Sequence, residues 1–102
     1  MRITYPTAIV LLAVSRGVRY GFDIMDATGL QSGTVYPILR RLETSGMLRA
    51  KWEAAGTARD EQRPARRYYQ VTAPGMRAVD DAVARFPGLA ATIAGADAPA
   101  RA

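Results

Sequence analysis

The sequence predicts a mainly α-helical fold with one small β-hairpin. Segments with a helical spacing of apolar residues end repeatedly at glycine, as at Gly17, Gly29 and Gly46. Two later segments alternate in polarity or are rich in aromatic and β-branched residues, as expected of paired strands. The length of 102 residues suits one domain, and 49% hydrophobic with 23% charged residues is the composition of a folded protein.

A first helix is predicted at Thr4–Ser15, with Pro6 in its first turn and an almost wholly apolar surface from Ala8 to Val14. One small domain is expected to cover only one side of such a helix, so the other side is predicted to meet a second subunit. The apolar run is too short to cross a bilayer, and no small-residue cleavage motif marks a secretory signal. We therefore expect a cytoplasmic protein that does not associate with a membrane.

The next two helices are predicted to form a pair joined by a tight link. The second covers Tyr20–Thr28, and Gly29 leads into a third that has Ser32 as its N-cap and ends at Gly46. The apolar residues of the third helix share one face, namely Val35, Ile38, Leu39 and Leu42. The opposite face carries Gly33, Pro37, Arg40, Arg41 and Thr44. If Leu30 or Gln31 is the cap instead, Pro37 lies deeper in the helix and bends it more sharply.

This helix pair matches the helix-turn-helix arrangement, in which the second helix reads DNA. Two adjacent arginines on an exposed face require water or an anion, and the phosphate backbone is the commonest large anion that meets a helix. The third helix is therefore predicted to be the recognition helix.

A β-hairpin is predicted to follow. Met47–Glu53 alternates, with Trp52 expected on the core side, and Arg67–Thr72 reads as the partner strand. The loop between them, about residues 54–66, contains the arginines Arg59, Arg63 and Arg66. A long loop with basic charge favours a wing that reaches the DNA backbone or minor groove, and the alternative is a merely solvated loop.

Basic charge is concentrated in the same region. The net charge is +5, and residues 40–67 carry eight Lys or Arg against four Asp or Glu. This asymmetry predicts a nucleic-acid partner, although general enrichment of arginine in high-GC genomes is an alternative explanation.

A last helix is predicted at Ala73–Phe86, with Thr72 as its cap and Pro74 near its first position. Its apolar residues follow the spacing of a helix–helix seam, at Met76, Val79, Val83 and Phe86. Together with the first helix, this seam is predicted to close a homodimer. Residues 1–86 thus form the predicted domain, and residues 87–102 form an Ala-, Gly- and Pro-rich tail in which Leu89 to Ile93 adds one helical turn.

The composition also excludes several kinds of chemistry. The chain contains no cysteine and no histidine, so thiol catalysis, disulfides and the usual zinc ligands are excluded. Asp80 and Asp81 are adjacent on a helix and point about 100° apart, which does not suit a metal site. We expect neither an enzyme nor a bound cofactor or metal.

By its motifs the chain resembles the PadR family of bacterial transcriptional regulators, which are winged helix-turn-helix proteins. The resemblance rests on GTVYPILRRLE, SGMLRAKWE and RPARRYYQVT in this order, and it covers roughly Thr4 to Phe86. It implies a homodimeric repressor in which the third helix enters the major groove, the wing flanks it, and the first and last helices form the dimer. The double-stranded operator is then an inverted repeat.

The resemblance and the exposed helix face together assign the site residues. The predicted recognition-helix contacts are Ser32, Thr34, Tyr36, Pro37, Arg40 and Arg41. The predicted wing contacts are Arg63, Arg66 and Arg67. The predicted dimer contacts are Ile9, Leu12, Met76, Val79, Val83 and Phe86. Tyr36 either touches the DNA backbone through its hydroxyl group or lies half-buried beside Val35 and Leu39.

The chain departs from parts of the family pattern. Only about one helix follows the wing, which resembles the subclass with a short C-terminal region. Certain multidrug-sensing relatives stack drugs on a tryptophan of the C-terminal helix, whereas the single tryptophan here is Trp52, on the strand before the wing. The sequence identifies no small-molecule inducer. The alternative function is a winged-helix protein-interaction module, such as an antirepressor or assembly factor, without specific DNA binding.

Overall fold

A computed structural model describes residues 3–54, 56, 62 and 64–93 of the chain. Within these residues there are four α-helices, one two-stranded antiparallel sheet and a short 3-10 helix. The elements in chain order are α1 (Tyr5–Ser15), α2 (Gly21–Thr28), α3 (Ser32–Thr44), β1 (Leu48–Trp52), β2 (Arg67–Val71), α4 (Ala73–Arg85) and the 3-10 helix Leu89–Thr92. The predicted mainly α fold with a small hairpin is confirmed.

Helix α1 is the centre of the core. Every residue from Thr7 to Val14 is buried within the single chain. The other three α-helices, β2 and the 3-10 helix surround α1, and Leu89 and Ile93 at the C-terminal side are themselves buried in the core. The expectation that one side of α1 from Ala8 to Val14 is left uncovered is therefore wrong, because these elements of the same chain together bury it.

The same packing includes the first residues of the predicted tail. Leu89 and Ile93 are only 2% and 5% exposed, so the packed body of the protein extends at least to residue 93. The Tyr5 hydroxyl donates a hydrogen bond to Thr92 at 3.3 Å and ties the start of α1 to the 3-10 helix. Residues 94–102 lie outside the described part of the chain.

The link between α2 and α3 is short. Gly29 adopts a left-handed conformation with φ of 75°, and its N–H donates to the Met25 carbonyl at 2.8 Å, which ends α2. The N-cap of α3 is Gln31 and not Ser32, because the extended Gln31 carbonyl already accepts the N–H groups of Thr34 and Val35 at 2.9 Å. Pro37 consequently lies inside the helix, as the alternative assignment of the cap anticipated.

The hairpin pairs Leu48 with Val71 at the body and Trp52 with Arg67 at its outer end. Beyond that pair, the Glu53 N–H donates to the Arg66 carbonyl at 2.9 Å and extends the ladder. On the other side of β2, Tyr20 forms a bridge with Tyr68, so β2 lies between β1 and the segment before α2. β2 is thus hydrogen-bonded along both of its edges, and the second edge is bonded at the outer half of the ladder.

The expected core position of Trp52 is wrong. Along β1, Leu48 is buried, Ala50 is half-buried and Trp52 is 65% exposed. The alternation of the strand is as predicted, but the strand runs outward past the body of the domain. The face that is covered at Leu48 is therefore open at Trp52.

Helix α4 begins as predicted, with Thr72 as its N-cap accepting a hydrogen bond from the Gly75 N–H at 3.2 Å. The Thr72 hydroxyl also donates to the Gly46 carbonyl at 2.6 Å, which joins the start of α4 to the end of α3. Gly75 is required here because a Cβ atom at this position would collide with the Met47 carbonyl oxygen. No helix in the described part of the chain has the length and apolar character needed to span a membrane.

Candidate nucleic-acid interface

The residues predicted to contact DNA from α3 all lie on its exposed side. These are Ser32, Thr34, Tyr36, Pro37, Arg40 and Arg41. The apolar residues Val35, Ile38, Leu39 and Leu42 are buried in the core, as the helical spacing predicts. The helix therefore presents a polar and cationic stripe to solvent while its other face anchors it.

Tyr36 has both an exposed and a packed side. It is 43% exposed, and its ring lies against the backbone of Gly21 at the start of α2, where an added Cβ would be 2.6 Å from the Tyr36 Cε1 and hydroxyl oxygen. Tyr36 is therefore exposed, and the packed side of its ring lies against α2 rather than beside Val35 and Leu39. Tyr36 thus sets how closely α2 and α3 approach each other.

An ion pair connects α3 to the hairpin. The Arg67 guanidinium donates to the Glu43 carboxylate at 2.7 Å and lies 6.0 Å from the centre of the Tyr69 ring. Burial raises the pKa of the Tyr69 phenol, Glu43 and Tyr36 add to the increase, and Arg67 and Arg40 oppose it. Glu43, Arg67 and Tyr69 thus form one group of contacting side chains between α3 and β2.

A second cluster holds the base of the wing. The Glu53 side chain is only 6% exposed, and its carboxylate accepts hydrogen bonds from the Arg66 backbone N–H at 2.9 Å and the Tyr20 hydroxyl at 3.2 Å. The Arg66 guanidinium lies 3.8 Å from the same carboxylate and 4.2 Å from the centre of the Tyr20 ring. We name this cluster of Tyr20, Glu53 and Arg66 the wing root.

The two described wing arginines are thus both engaged within the chain. Arg66 pairs with Glu53 and Arg67 pairs with Glu43, rather than projecting as free cations. Arg63, the third predicted wing contact, lies outside the described residues, as does Arg59. Sequence reasoning missed both glutamates because each is far along the chain from its arginine. The antiparallel register is the one signal that could have placed Glu53 beside Arg66.

The predicted dimer contacts divide into buried and exposed positions. Ile9, Leu12 and Val79 are buried within the chain and Phe86 is half-buried, with its ring edge-on to Tyr5 at 5.4 Å. Met76 and Val83 are 44% and 46% exposed and lie one helical heptad apart on α4. They border an open groove of about 600 Å³ between α4 and the end of α1, which we name the α4 groove. Its lining consists of Leu12, Ser15, Arg16, Gly17, Met76, Val79, Asp80 and Val83.

The described side chains do not assemble a metal centre. Among residues 3–54, 56, 62 and 64–93, no three Asp, Glu, His or Cys side chains lie close enough together to hold a metal ion. The site is instead built from hydroxyl groups, aromatic rings and paired or exposed cations, which suits binding to an anionic surface.

Comparison with known proteins is consistent with this architecture. The sequence model of the family described as "Transcriptional regulator PadR-like family" matches residues 10–81 of this chain. No curated protein sequence gives a significant match. A crystal structure of a Streptococcus mutans UA159 protein is 24% identical with a TM-score of 0.67, covering 83% of this chain and 80% of that one.

Two further crystal structures carry the family name. A PadR-like transcription factor from Bacteroides fragilis is 25% identical with a TM-score of 0.66, covering 84% of each chain. A PadR family transcriptional regulator from Eggerthella lenta DSM 2243 is 26% identical with a TM-score of 0.56, covering 74% of this chain and 69% of that one. The family model spans well over half of the chain, from α1 into α4, so this protein belongs to the PadR-like family of transcriptional regulators.

Proposed function

We propose that this transcriptional regulator is a homodimeric repressor that binds an inverted-repeat operator in double-stranded DNA, in its own promoter or that of an adjacent gene. The observation that carries the proposal is the exposed stripe of α3, with Thr34, Arg40 and Arg41, set beside a hairpin that the Arg67–Glu43 ion pair joins to the same helix. A recognition element needs both a reading face and a fixed orientation.

In this proposal the polar stripe of α3 enters the major groove. Thr34 and Arg40 are assigned to base edges, because an arginine can donate two hydrogen bonds to guanine O6 and N7. Ser32, Tyr36, Pro37 and Arg41 are assigned to the rim of the groove, where hydroxyl groups and guanidinium groups contact phosphates. Arg67 lies beside this helix on the hairpin and is paired with Glu43, so its charge becomes available to DNA only when that pair opens.

The dimer is assigned to the α4 groove. Met76 and Val83 place apolar surface in solvent on one face of α4, and a twofold axis beside this face would bury both side chains from each subunit. Two recognition helices related by that axis require two half-sites about one helical turn, or a multiple of it, apart. Bound over a promoter in the cytoplasm, such a dimer would exclude RNA polymerase.

Selection from random duplexes tests this proposal because it finds the operator from binding alone. The protein is incubated with a randomised double-stranded library, and the bound fraction is sequenced over successive rounds. We expect enrichment of an inverted repeat. Arg40→Ala is then expected to weaken binding to that repeat by about 1–3 kcal/mol and to relax the base preference at one position per half-site.

The outcome that would overturn the proposal is equally definite. If no sequence is enriched and random DNA is bound as well as any selected duplex, specific repression fails. The protein-interaction module then becomes the better interpretation of the same fold.

A further inference from the structure

Trp52 is an exposed aromatic side chain on a structured strand. It is the only tryptophan of the chain, and 65% of its surface is accessible at the last position of β1. Tryptophan is a large, mostly apolar side chain with one N–H donor, and leaving it in water forfeits the free energy that burial would provide. A residue of this kind at the edge of a binding surface is a candidate contact.

The hairpin register shows which side Trp52 occupies. Trp52 pairs with Arg67 and Ala50 pairs with Tyr69, so these four side chains share one face of the hairpin. On that face Arg67 donates to Glu43 of α3, and Tyr69 is buried in the core. Trp52 therefore lies on the face of the hairpin that is turned toward the recognition helix. It is two residues further along the hairpin, toward the wing, than the pair of Ala50 and Tyr69.

The charges around Trp52 indicate the chemistry of its occupant. Arg67 is directly opposite Trp52 and is paired with Glu43, and Arg40 is exposed on the facing helix α3. Lys51 lies on the other face of the hairpin, and Glu53 is engaged by Tyr20 and Arg66 in the wing root. The face that carries Trp52 therefore has two cations against one acidic group, and this net positive charge disfavours a second copy of the same surface and attracts a polyanion. The deoxyribose and phosphate groups of DNA offer an apolar ring edge beside anionic acceptors, which matches the indole beside its cations.

We propose that Trp52 contacts the sugar–phosphate backbone of DNA beside the groove entered by α3, with its ring packed on deoxyribose and its Nε1–H donating to a phosphate oxygen. This inference rests on the proposed function. Because sugar and phosphate are the same in every sequence, the contact adds affinity without sequence preference.

The single tryptophan makes this contact directly measurable. Protein is titrated with fluorescently labelled duplex of the selected sequence, and tryptophan emission, acrylamide quenching and the anisotropy of the label are recorded together. We expect the emission to change, and the acrylamide accessibility to fall, with the same midpoint as the anisotropy. Anisotropy that saturates while emission and accessibility stay constant would overturn the Trp52 contact and leave DNA binding intact.

Two controls separate the remaining explanations. A dilution series without DNA tests self-association, and accessibility that falls with protein concentration alone would mean that a second copy covers Trp52, which overturns the proposal. If the anisotropy does not change with any duplex, the proposed function itself fails and the inference fails with it.

Substitutions give an independent test. Trp52→Ala is expected to weaken binding about tenfold on operator and random duplex alike, the equivalent of losing the partial burial of one large side chain. Arg40→Ala is the matched comparison, because it should weaken binding to the operator more than binding to the random duplex. Since Trp52 is exposed, the melting temperature of Trp52→Ala should stay within a few degrees of the wild type. Unchanged affinity for both duplexes, or a loss on the operator alone, would contradict the backbone contact.

Discussion

The Arg67 guanidinium lies 2.7 Å from the Glu43 carboxylate, so an ion pair joins the wing strand to the last turns of the recognition helix. Both side chains are partly exposed, and pairs of this kind contribute only about 0–1 kcal/mol to folding. The larger consequence concerns DNA binding, because Glu43 and a phosphate would compete for the same cation. The ion pair joins the wing strand to α3 and at the same time neutralises part of the positive charge of this surface.

Replacing Glu43 tests this competition. Glu43→Gln should release Arg67, increase affinity for random duplex several-fold, and steepen the dependence of log K on log salt by about one unit per subunit. The measurement is a binding titration at several salt concentrations. In an Arg67→Ala background, Glu43→Gln should increase the affinity and the salt dependence much less. An equal gain in affinity with and without Arg67 would mean that Glu43 only repels DNA and that the Arg67–Glu43 pair has no effect on binding.

The close approach of α2 and α3 predicts a steric effect at Gly21. An added Cβ would lie 2.6 Å from the Tyr36 ring, so Gly21→Ala should displace this partly exposed ring and lower stability by about 1 kcal/mol, the lower end of the cost of overpacking. Gly33→Ala is the matched control, since a Cβ there meets nothing within 4 Å and alanine is the better helix former. Chemical denaturation compares the two. Tyr36→Ala should rescue Gly21→Ala, and failure of that rescue would contradict the steric explanation.

The contacts of the wing root predict that Glu53 holds the wing in position. Glu53→Ala removes the acceptor of the Arg66 N–H and the Tyr20 hydroxyl, so the hairpin should loosen where it leaves the body. We expect faster hydrogen exchange along β2 and weaker DNA binding, with α1 and α3 still protected. Asp81→Ala, an exposed acidic position on α4, should change neither property. Unchanged exchange in Glu53→Ala would show that the wing does not depend on this cluster.

Dimerisation is best tested on α4 alone. Leu12 is buried within one chain, so a charge there would unfold the protein whether or not it is an interface residue. Met76→Asp with Val83→Asp places charges only at exposed positions and should yield folded monomers, with operator affinity reduced at least tenfold. Ala84→Asp, exposed on the same helix, is the control. Sedimentation gives the oligomeric state, and a double variant that sediments like the wild type would refute the assignment to the α4 groove.

Local patterns predicted much of this molecule. The buried stripe of α3 follows from helical periodicity, and the Thr72 cap follows from residue type and the proline two residues later. These features depend on neighbours within one or two turns. The PadR-like motifs lie in the same segments, which is why the family could be inferred from the sequence alone.

The missed features depend on contacts between distant segments. The alternation of apolar and polar residues places Trp52 on the correct face of β1. It does not show how far the strand extends beyond the helical core. The cover of α1 includes Leu89 and Ile93, about eighty residues away, in a stretch whose composition predicts a tail. The partners of Arg67 and Arg66 are likewise set by tertiary packing and not by local pattern.

The most direct test of sequence-specific repression by a dimer is a salt titration on two duplexes, the selected inverted repeat and a scrambled sequence of equal length. If each subunit neutralises three or four phosphates, the slope of log K against log salt should be about −5 to −7 for a dimer. The inverted repeat should remain tightly bound at physiological salt while the scrambled duplex is released, with footprints on two half-sites. Equal affinity for both duplexes with a flat salt dependence, or protection of a single half-site, would contradict it.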